Sequence, residues 1–453
     1  MRITLGAFIS VRRRSTNNVN LQNFPASRFL STSQRLSANN NGIGTGQDAE
    51  GKRLHILGVG NIGTFVAHAL VSIPQPPKVT LMLRHPEQYQ VFKSIGRRLI
   101  LQRSGLSEHK TGYDVNWHEE DEWYTTPQSL EGTDNRAAVD NSPIDHLILT
   151  VKITSVVTAL MSVRHRLSPK STIVFIHNGM GIIEQVNKEV FPDPNTRPSY
   201  VVGIISHGVY RYKYFNVVHR GIGTTTLGVV FSNPQASLPS IDSPTSSNVN
   251  NTPNTNSTVK DPDPKRERAL APSTRYLLNT FARTPLLVPF ITNEVDLLLF
   301  QLEKLAVNAL INPLSVINDC TNGNLLNNEN ILRVQRLLLY EISAVIGALP
   351  EVQGVPGIKS RFAPDRLLSL AQQVMKKTAA NASSMLQDAA AGRITEIDWI
   401  NGYIVRRGEE LGITCALNYM LVNLVKGKAR IMERNVAGQI PLDEIPLSDD
   451  TPP

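Results

Sequence analysis

Arg53-Leu-His-Ile-Leu-Gly58-Val-Gly60-Asn-Ile-Gly63-Thr-Phe-Val-Ala-His-Ala-Leu70 is the stretch that decides the fold. Residues 53–57, with Leu54, Ile56 and Leu57, read as a short buried strand, and Thr64–Ile73 reads as a helix. Three glycines in G-x-G-x-x-G spacing lie between them. At a strand-to-helix turn the first glycine permits the tight bend, the second lets backbone approach a pyrophosphate, and the third lets helix pack on strand. The helix N-terminus adds unpaired N–H groups and a positive dipole end for phosphates. Gly58, Val59, Gly60, Asn61, Ile62 and Gly63 are therefore cofactor-binding candidates. A Gly-rich turn without a ligand is the competing reading.

Working outward, Val79–Arg84 is a second strand, Asp145–Val151 a third, and Thr172–Ile176 a fourth that closes on Asn178-Gly179. A helix from Thr154 to about Leu167 separates the last two. Short strands alternating with helices imply an α/β fold, a parallel sheet covered on both faces. Residues 85–142 begin like a helix and continue as strand fragments and an exposed loop. Ser, Thr, Asn and Pro fill 23 of the 33 positions from 232 to 264, too little apolar surface to offset the entropy of ordering. From Pro272 the pattern becomes helical throughout, with candidates at 272–283, 293–311, 332–347, 364–377, 395–411 and 418–433. The expected organisation is a leader (1–37), an α/β nucleotide-binding domain (52–231), a disordered insertion (232–271), an all-helical domain (272–436) and a flexible tail (437–453).

The chain has 453 residues and a formal charge of +8, which invites a nucleic-acid partner. Its distribution argues otherwise. Residues 1–37 hold six arginines and no acid, so the remainder carries only +2. An Arg- and Ser-rich, acid-free start has the composition of a mitochondrial transit peptide, which places the mature protein in the matrix. Two distant cysteines, Cys320 and Cys415, exclude a disulfide scaffold and a cysteine-built metal site. No window offers about 20 uninterrupted apolar residues, so no membrane span is expected.

The strand after the glycine loop selects the dinucleotide. An NAD site presents an acid there for the ribose hydroxyl. This chain presents Arg84-His85, with no acid before Glu87, and a guanidinium suits a 2′-phosphate, so NADP is favoured. A solvated surface arginine is the plain alternative. Further on, Lys304-Leu-Ala-Val-Asn308-Ala-Leu-Ile-Asn312 aligns Lys304, Asn308 and Asn312 on one helix face. A Lys and two amides crossing an apolar element need polar partners, which a small polar substrate supplies; an amphipathic helix with a solvated edge is the competing reading. In the segment 383–402, Thr395 and Asp398 have the spacing of a helix N-terminal cap, so Glu396 and Asp398 read first as complements of a helix dipole.

Taken together, LGVGNIG, Val151-Lys152, HNGMG at 177–181, GIISHG at 203–208, KLAVNALINPLSVINDCTNGNLL, and ASSMLQD followed by GRITEIDWINGYIV resemble the ketopantoate reductase (2-dehydropantoate 2-reductase) family. The resemblance runs from about Leu54 to Lys428. It implies a Rossmann-type doubly wound sheet, a C-terminal all-helical domain, and an active site in the cleft between them. It implies NADPH-dependent reduction of 2-dehydropantoate to (R)-pantoate for pantothenate and coenzyme A. Lys304 would then be the catalytic proton donor, with Asn308, Asn312, Asn322 and Ser384 holding the substrate. Asn178 would touch the nicotinamide ribose, Arg84 and Lys152 the 2′-phosphate, Gly208 the cofactor, and Glu396 the cofactor and substrate end of the cleft. The chain departs from the family pattern at Ser155 and His177, where Gln is common. The alternatives are a reductase of the same fold for another small 2-oxo acid and a non-catalytic mitochondrial relative. The expected partner is the small-molecule substrate, with no nucleic acid and no metal; a homodimer is compatible with the chain.

Overall fold

The computed structural model describes residues 52–125, 138–230 and 270–436. The expected leader, nearly all of the insertion and the tail lie outside the described residues. In chain order the first domain runs β1 (Arg53–Leu57), α1 (Asn61–Leu70), β2 (Lys78–Leu83), α2 (Pro86–Ser94), β3 (Leu99–Arg103), β4 (Leu106–Lys110), β5 (Asp114–Glu119), β6 (Glu122–Thr125), β7 (Ala138–Val139) and β8 (His146–Leu149). It continues through α3 (Val156–Val163), β9 (Thr172–Ile176), α4 (Ile182–Glu189), β10 (Ser199–Ile205), β11 (Gly208–Lys213), β12 (Asn216–Gly221), β13 (Thr225–Val230), α5 (Pro272–Ala282) and β14 (Pro289–Ile291).

Six of these strands are parallel neighbours in the order β5-β2-β1-β8-β9-β10. By chain rank that is third, second, first, fourth, fifth, sixth, the doubly wound dinucleotide-binding order. The strand order reverses between β1 and β8, which opens a crevice beyond their carboxyl ends, where the glycine loop lies. Side chains alternate across β1: Leu54 and Ile56 join Phe65 and Phe92 on one face, and Leu57 joins Leu147 and Phe175 on the other. Both faces are buried, as the apolar strand sequences demand. A separate four-stranded sheet, β11-β12-β3-β4, flanks α1.

The second domain comprises α6 (Glu294–Asn318), α7 (Glu329–Ala348), α8 (Ile358–Arg361), α9 (Pro364–Lys377), α10 (Ser384–Ala390), α11 (Asn401–Glu410) and α12 (Ala416–Val436). The helical domain therefore starts later than expected. Residues 272–291 complete the sheet domain: α5 packs on β8, β9 and β10, and β14 pairs with β13. A three-residue strand leaves no readable periodicity, which is why the sequence placed this segment with the helices.

Helix α6 also runs beyond its expected end, passing through Pro313. A proline inside a helix strips the carbonyl four residues back of its donor. Here that carbonyl belongs to Ala309, and Asn401 Nδ2 donates to it at 2.9 Å. Asn401 is completely buried and also donates to Asn418 Oδ1 at 3.0 Å. Asn418 in turn donates to Glu341, whose carboxylate accepts from the Leu417 and Asn418 N–H groups beside the start of α12. Lys428 Nζ meets the Val316 and Ile317 carbonyls at the far end of α6. Among the described residues α6 alone has the length and hydropathy to cross a membrane, and most of its apolar window is buried in the helical core.

Asn401→Ala should lower unfolding free energy by about 1–3 kcal/mol, the cost of leaving a buried carbonyl unpaired. The loss should shrink when Pro313→Ala restores an N–H for Ala309. Equal losses in the two backgrounds, measured by denaturant titration, would contradict this account of how the helix tolerates its proline.

Candidate active site

The crevice at the carboxyl ends of the strands is built first by the glycine loop. Gly58 has φ +102°, and a Cβ there would lie 2.6 Å from Val151. At Gly63 a Cβ would fall 2.2 Å from the Gly58 carbonyl and 2.7 Å from Thr150 Oγ1. Thr150 ties the turn down, donating to the Gly58 carbonyl at 2.6 Å. At Gly60, by contrast, a Cβ would meet nothing within 4 Å. Gly60 caps α1, so this open cradle faces the helix start, where the Asn61, Ile62 and Gly63 N–H groups have no carbonyl four residues back within the helix. No acid sits in that first turn, while Val59 and Ile62 pack partly into the sheet core. The loop fits the phosphates of a dinucleotide on each of these counts.

Arg84 follows β2 directly and is exposed. Among the described residues its guanidinium has no hydrogen-bond or ion-pair partner; its backbone N–H donates to Gln88 Oε1. Lys152, expected at the 2′-phosphate, is instead engaged by the helical domain. Its Nζ lies 2.7 Å from buried Asp388, which Arg393 also pairs. A carboxylate with so little exposure draws the nearest cations to it.

Lys304 enters from the other side. It lies in the N-terminal half of α6, and its Nζ donates to the Ile205 carbonyl, at the end of β10, at 2.8 Å. The residue is partly buried, and desolvation lowers its pKa to about 8, while the charge of Glu396 pulls the other way. Lys304 and Asn308 line a small cleft together with Gln301, His177 and Asn178. Glu396 is 4% exposed. It does not complement a helix dipole. One oxygen accepts from Asn178 Nδ2 at 3.2 Å and the other from the Ile153 N–H at 3.5 Å. It thus binds the helical domain to two strand-end loops, and Met180 N–H reinforces the junction by donating to the Trp399 carbonyl at 2.9 Å.

The structure thus gathers Lys304, Asn308 and Asn178 at one cleft, with Glu396 behind them. It does not bring the remaining candidates there. Asn312 is buried two turns beyond Lys304, outside the cleft lining. Asn322 Nδ2 donates to Thr378 inside the helical domain. Ser384 is exposed at the first position of α10, where its neighbour Ser383 caps the helix through Leu386 N–H. Gly208 is exposed in β11 opposite Gly221, where a Cβ would lie 3.2 Å from the Gly221 nitrogen. Sequence reasoning missed Gln301 and Asp388. Gln301 was findable, since it stands one turn before Lys304 on the same face; Asp388 carried no local signal.

No group of His, Cys, Asp and Glu able to hold a metal ion occurs among the described residues. A doubly wound sheet, a phosphate-ready glycine loop and a single lysine in a cleft against a helical domain define a two-domain nicotinamide-dependent oxidoreductase. The model described as "Ketopantoate reductase PanE/ApbA" matches residues 54–231, and its C-terminal counterpart matches 296–429; the chain belongs to the ketopantoate reductase family. It is 28% identical over 383 residues to a probable 2-dehydropantoate 2-reductase of Schizosaccharomyces pombe, covering 83% of this chain and 96% of that one. Among solved structures it resembles a ketopantoate reductase of Ralstonia eutropha JMP134 (TM-score 0.58, 20% identity, 84% and 100% coverage). A D-mandelate dehydrogenase solved with NADH and anilino(oxo)acetate is alike in fold (TM-score 0.58, 18% identity, 84% and 99% coverage).

Two glycine substitutions separate folding from cofactor binding. Gly63→Ala should lower the melting temperature sharply, because backbone and Thr150 occupy the place of its Cβ. Gly60→Ala should melt like the unaltered protein yet bind the nicotinamide dinucleotide at least about tenfold more weakly, its methyl group standing where a phosphate approaches. Unchanged affinity in Gly60→Ala, measured by fluorescence titration, would remove the loop from the cofactor site.

Proposed function

We propose that the protein reduces 2-dehydropantoate to (R)-pantoate with NADPH, supplying pantoate for pantothenate and coenzyme A. The observation that carries this reading is the Lys304 ammonium held at the junction of the two domains by the Ile205 carbonyl. Bound NADPH would supply the hydride. Hydride addition to a 2-oxo acid leaves an alkoxide, which a nearby ammonium stabilises and then protonates. Lys304 serves both needs: near neutral pH it remains mostly charged, and its lowered pKa makes it a better acid than a solvated lysine. Asn308 lies one turn along the same cleft wall and is placed to orient the substrate. Asn178, fixed by Glu396, is placed at the strand end where the nicotinamide ribose would lie.

The preference for NADPH rests on Arg84. It is an exposed cation without a partner among the described residues, at the strand end where an NAD site carries an acid. Lys152 would have to leave Asp388 to assist it. The matrix location rests on the composition of residues 1–37, and N-terminal sequencing of protein from purified mitochondria should begin beyond them; a start at Met1 counts against it.

The purified protein should consume NADPH when 2-dehydropantoate is added, and much more slowly with NADH. Lys304→Ala should lower kcat by about 10²–10⁴-fold, the range for losing a general acid, with little change in NADPH affinity. Lys304→Arg should rescue little, because a guanidinium hardly releases its proton. Asn308→Ala should act mainly on KM. A Lys304→Ala enzyme with near-normal kcat would refute the catalytic assignment.

A further inference from the structure

The last helix carries an apolar stripe on its outer side. Met420, Leu424, Gly427 and Ile431 follow one another along α12 at steps of four, three and four residues, which aligns them on one face. Met420 and Leu424 are 46% exposed and Ile431 61%, so among the described residues nothing covers that face. A Cβ at Gly427 would meet nothing within 4 Å. Glycine weakens a helix interior, and here it leaves room for another backbone to come close. Helical spacing sets Lys426, Arg430 and Arg434 along one edge of the stripe. Lys426 pairs with Asp398 at 2.6 Å. Arg430 and Arg434 are exposed and have no hydrogen-bond or ion-pair partner among the described residues. Glu433, the sole acid of α12, lies on the far side beside Gly392. The face calls for an occupant that is apolar along its middle and acidic along one side.

We propose that the occupant is the chain's own segment from Gln439 to Leu447, folded back along α12. Directly after Val436 come Ala437 and Gly438, and a glycine just past a helix end suits the left-handed turn that reverses the chain. Next stand Ile440-Pro-Leu-Asp-Glu444 and Ile445-Pro-Leu-Ser-Asp-Asp450, one apolar-then-acidic unit given twice, with four acids and no Lys or Arg. Each proline bars a helix and holds the isoleucine before it extended. At about 3.1 Å per extended residue the two Ile-Pro-Leu units stand about 16 Å apart. Met420 and Ile431 are also about 16 Å apart at the rise of a helix. The first unit therefore meets Ile431, the second meets Leu424 and Met420, and Asp443 and Glu444 between them come alongside Arg430. A second copy of the chain offers no acid from α12 on this face to meet the arginines. The inference concerns the surface of the helical domain and is independent of the reaction read in the cleft.

The test uses protein shortened to Val436, which keeps every described helix, and a fluorescent peptide of residues 437–453. The peptide should bind with a Kd below about 1 mM, the range in which a tethered segment stays docked. Arg430→Glu in the protein should weaken binding at least about tenfold, and Ile440→Asp with Ile445→Asp in the peptide should abolish it. A peptide that does not bind at about 1 mM, or that binds Arg430→Glu equally well, overturns the inference. If the shortened protein aggregates, the full chain decides. There Leu424→Cys with Ile445→Cys should close a disulfide within one molecule on mild oxidation, at the same yield whatever the protein concentration, and Arg430→Glu should lower that yield. Failure to form it overturns the proposal. Two further outcomes also overturn it: an unaltered chain that sediments as a dimer which Leu424→Asp separates gives the face to a second copy, and an unaltered chain that binds anionic phospholipid vesicles, with Leu424→Asp releasing it, gives the face to a membrane.

Discussion

The hydrogen bond from the Lys304 ammonium to the Ile205 carbonyl is the interaction on which the site depends. Its donor belongs to the helical domain and its acceptor to the end of a sheet strand. Neither domain alone places an ammonium in the cleft. A lysine on an isolated helix would stay solvated with an ordinary pKa. Packed against β10, it loses water on most sides and exchanges it for one carbonyl, and desolvation lowers its pKa to about 8. The chemistry asked of Lys304 is thus a product of domain packing.

Several further contacts hold that packing in register. Glu396 accepts from Asn178 and Ile153, Lys152 pairs with Asp388, and Met180 donates to Trp399. Every one of these links a loop after a parallel strand to the helical domain. The glycine loop is coupled to the same region from beneath. Phe65, in the helix that follows it, packs on the rings of His207 and His219 at 5.1 and 4.8 Å. His207 Nε2 donates to the Leu287 carbonyl while its Nδ1 accepts from Gly223 N–H, which fixes the ring two residues beyond the Ile205 carbonyl. The segment that receives Lys304 is therefore braced against the helix that would carry the phosphates.

Legibility in the sequence followed the range of each interaction. The glycine loop was readable because strand, turn and helix are contiguous, and the Lys304–Asn308 stripe because helical spacing puts both on one face. Local spacing reads Glu396 as a dipole complement and only the resemblance puts it at the cleft, since its partners Asn178 and Ile153 lie more than 200 residues away. The helix expected over 293–311 runs on through Pro313 because Asn401, from another helix, supplies the donor that the proline removes. Strand β14 is too short to show a period, and Lys152 faces Asp388 for reasons only tertiary structure contains. Ser384 and Asn322 were proposed from motif resemblance and sit in polar contexts of their own, away from the cleft lining.

The measurement closest to the central claim is the pH dependence of kcat/KM for 2-dehydropantoate reduction. The acid must be charged to stabilise the alkoxide and give up its proton, so activity should fall as pH rises through the lowered pKa of Lys304. The limb should lie near pH 8, with a slope of about tenfold per unit. Glu396→Gln removes the charge that raises this pKa, so it should move the limb to lower pH. A profile level to beyond pH 10, or one unmoved in Glu396→Gln, would contradict an ammonium tuned by burial between the two domains.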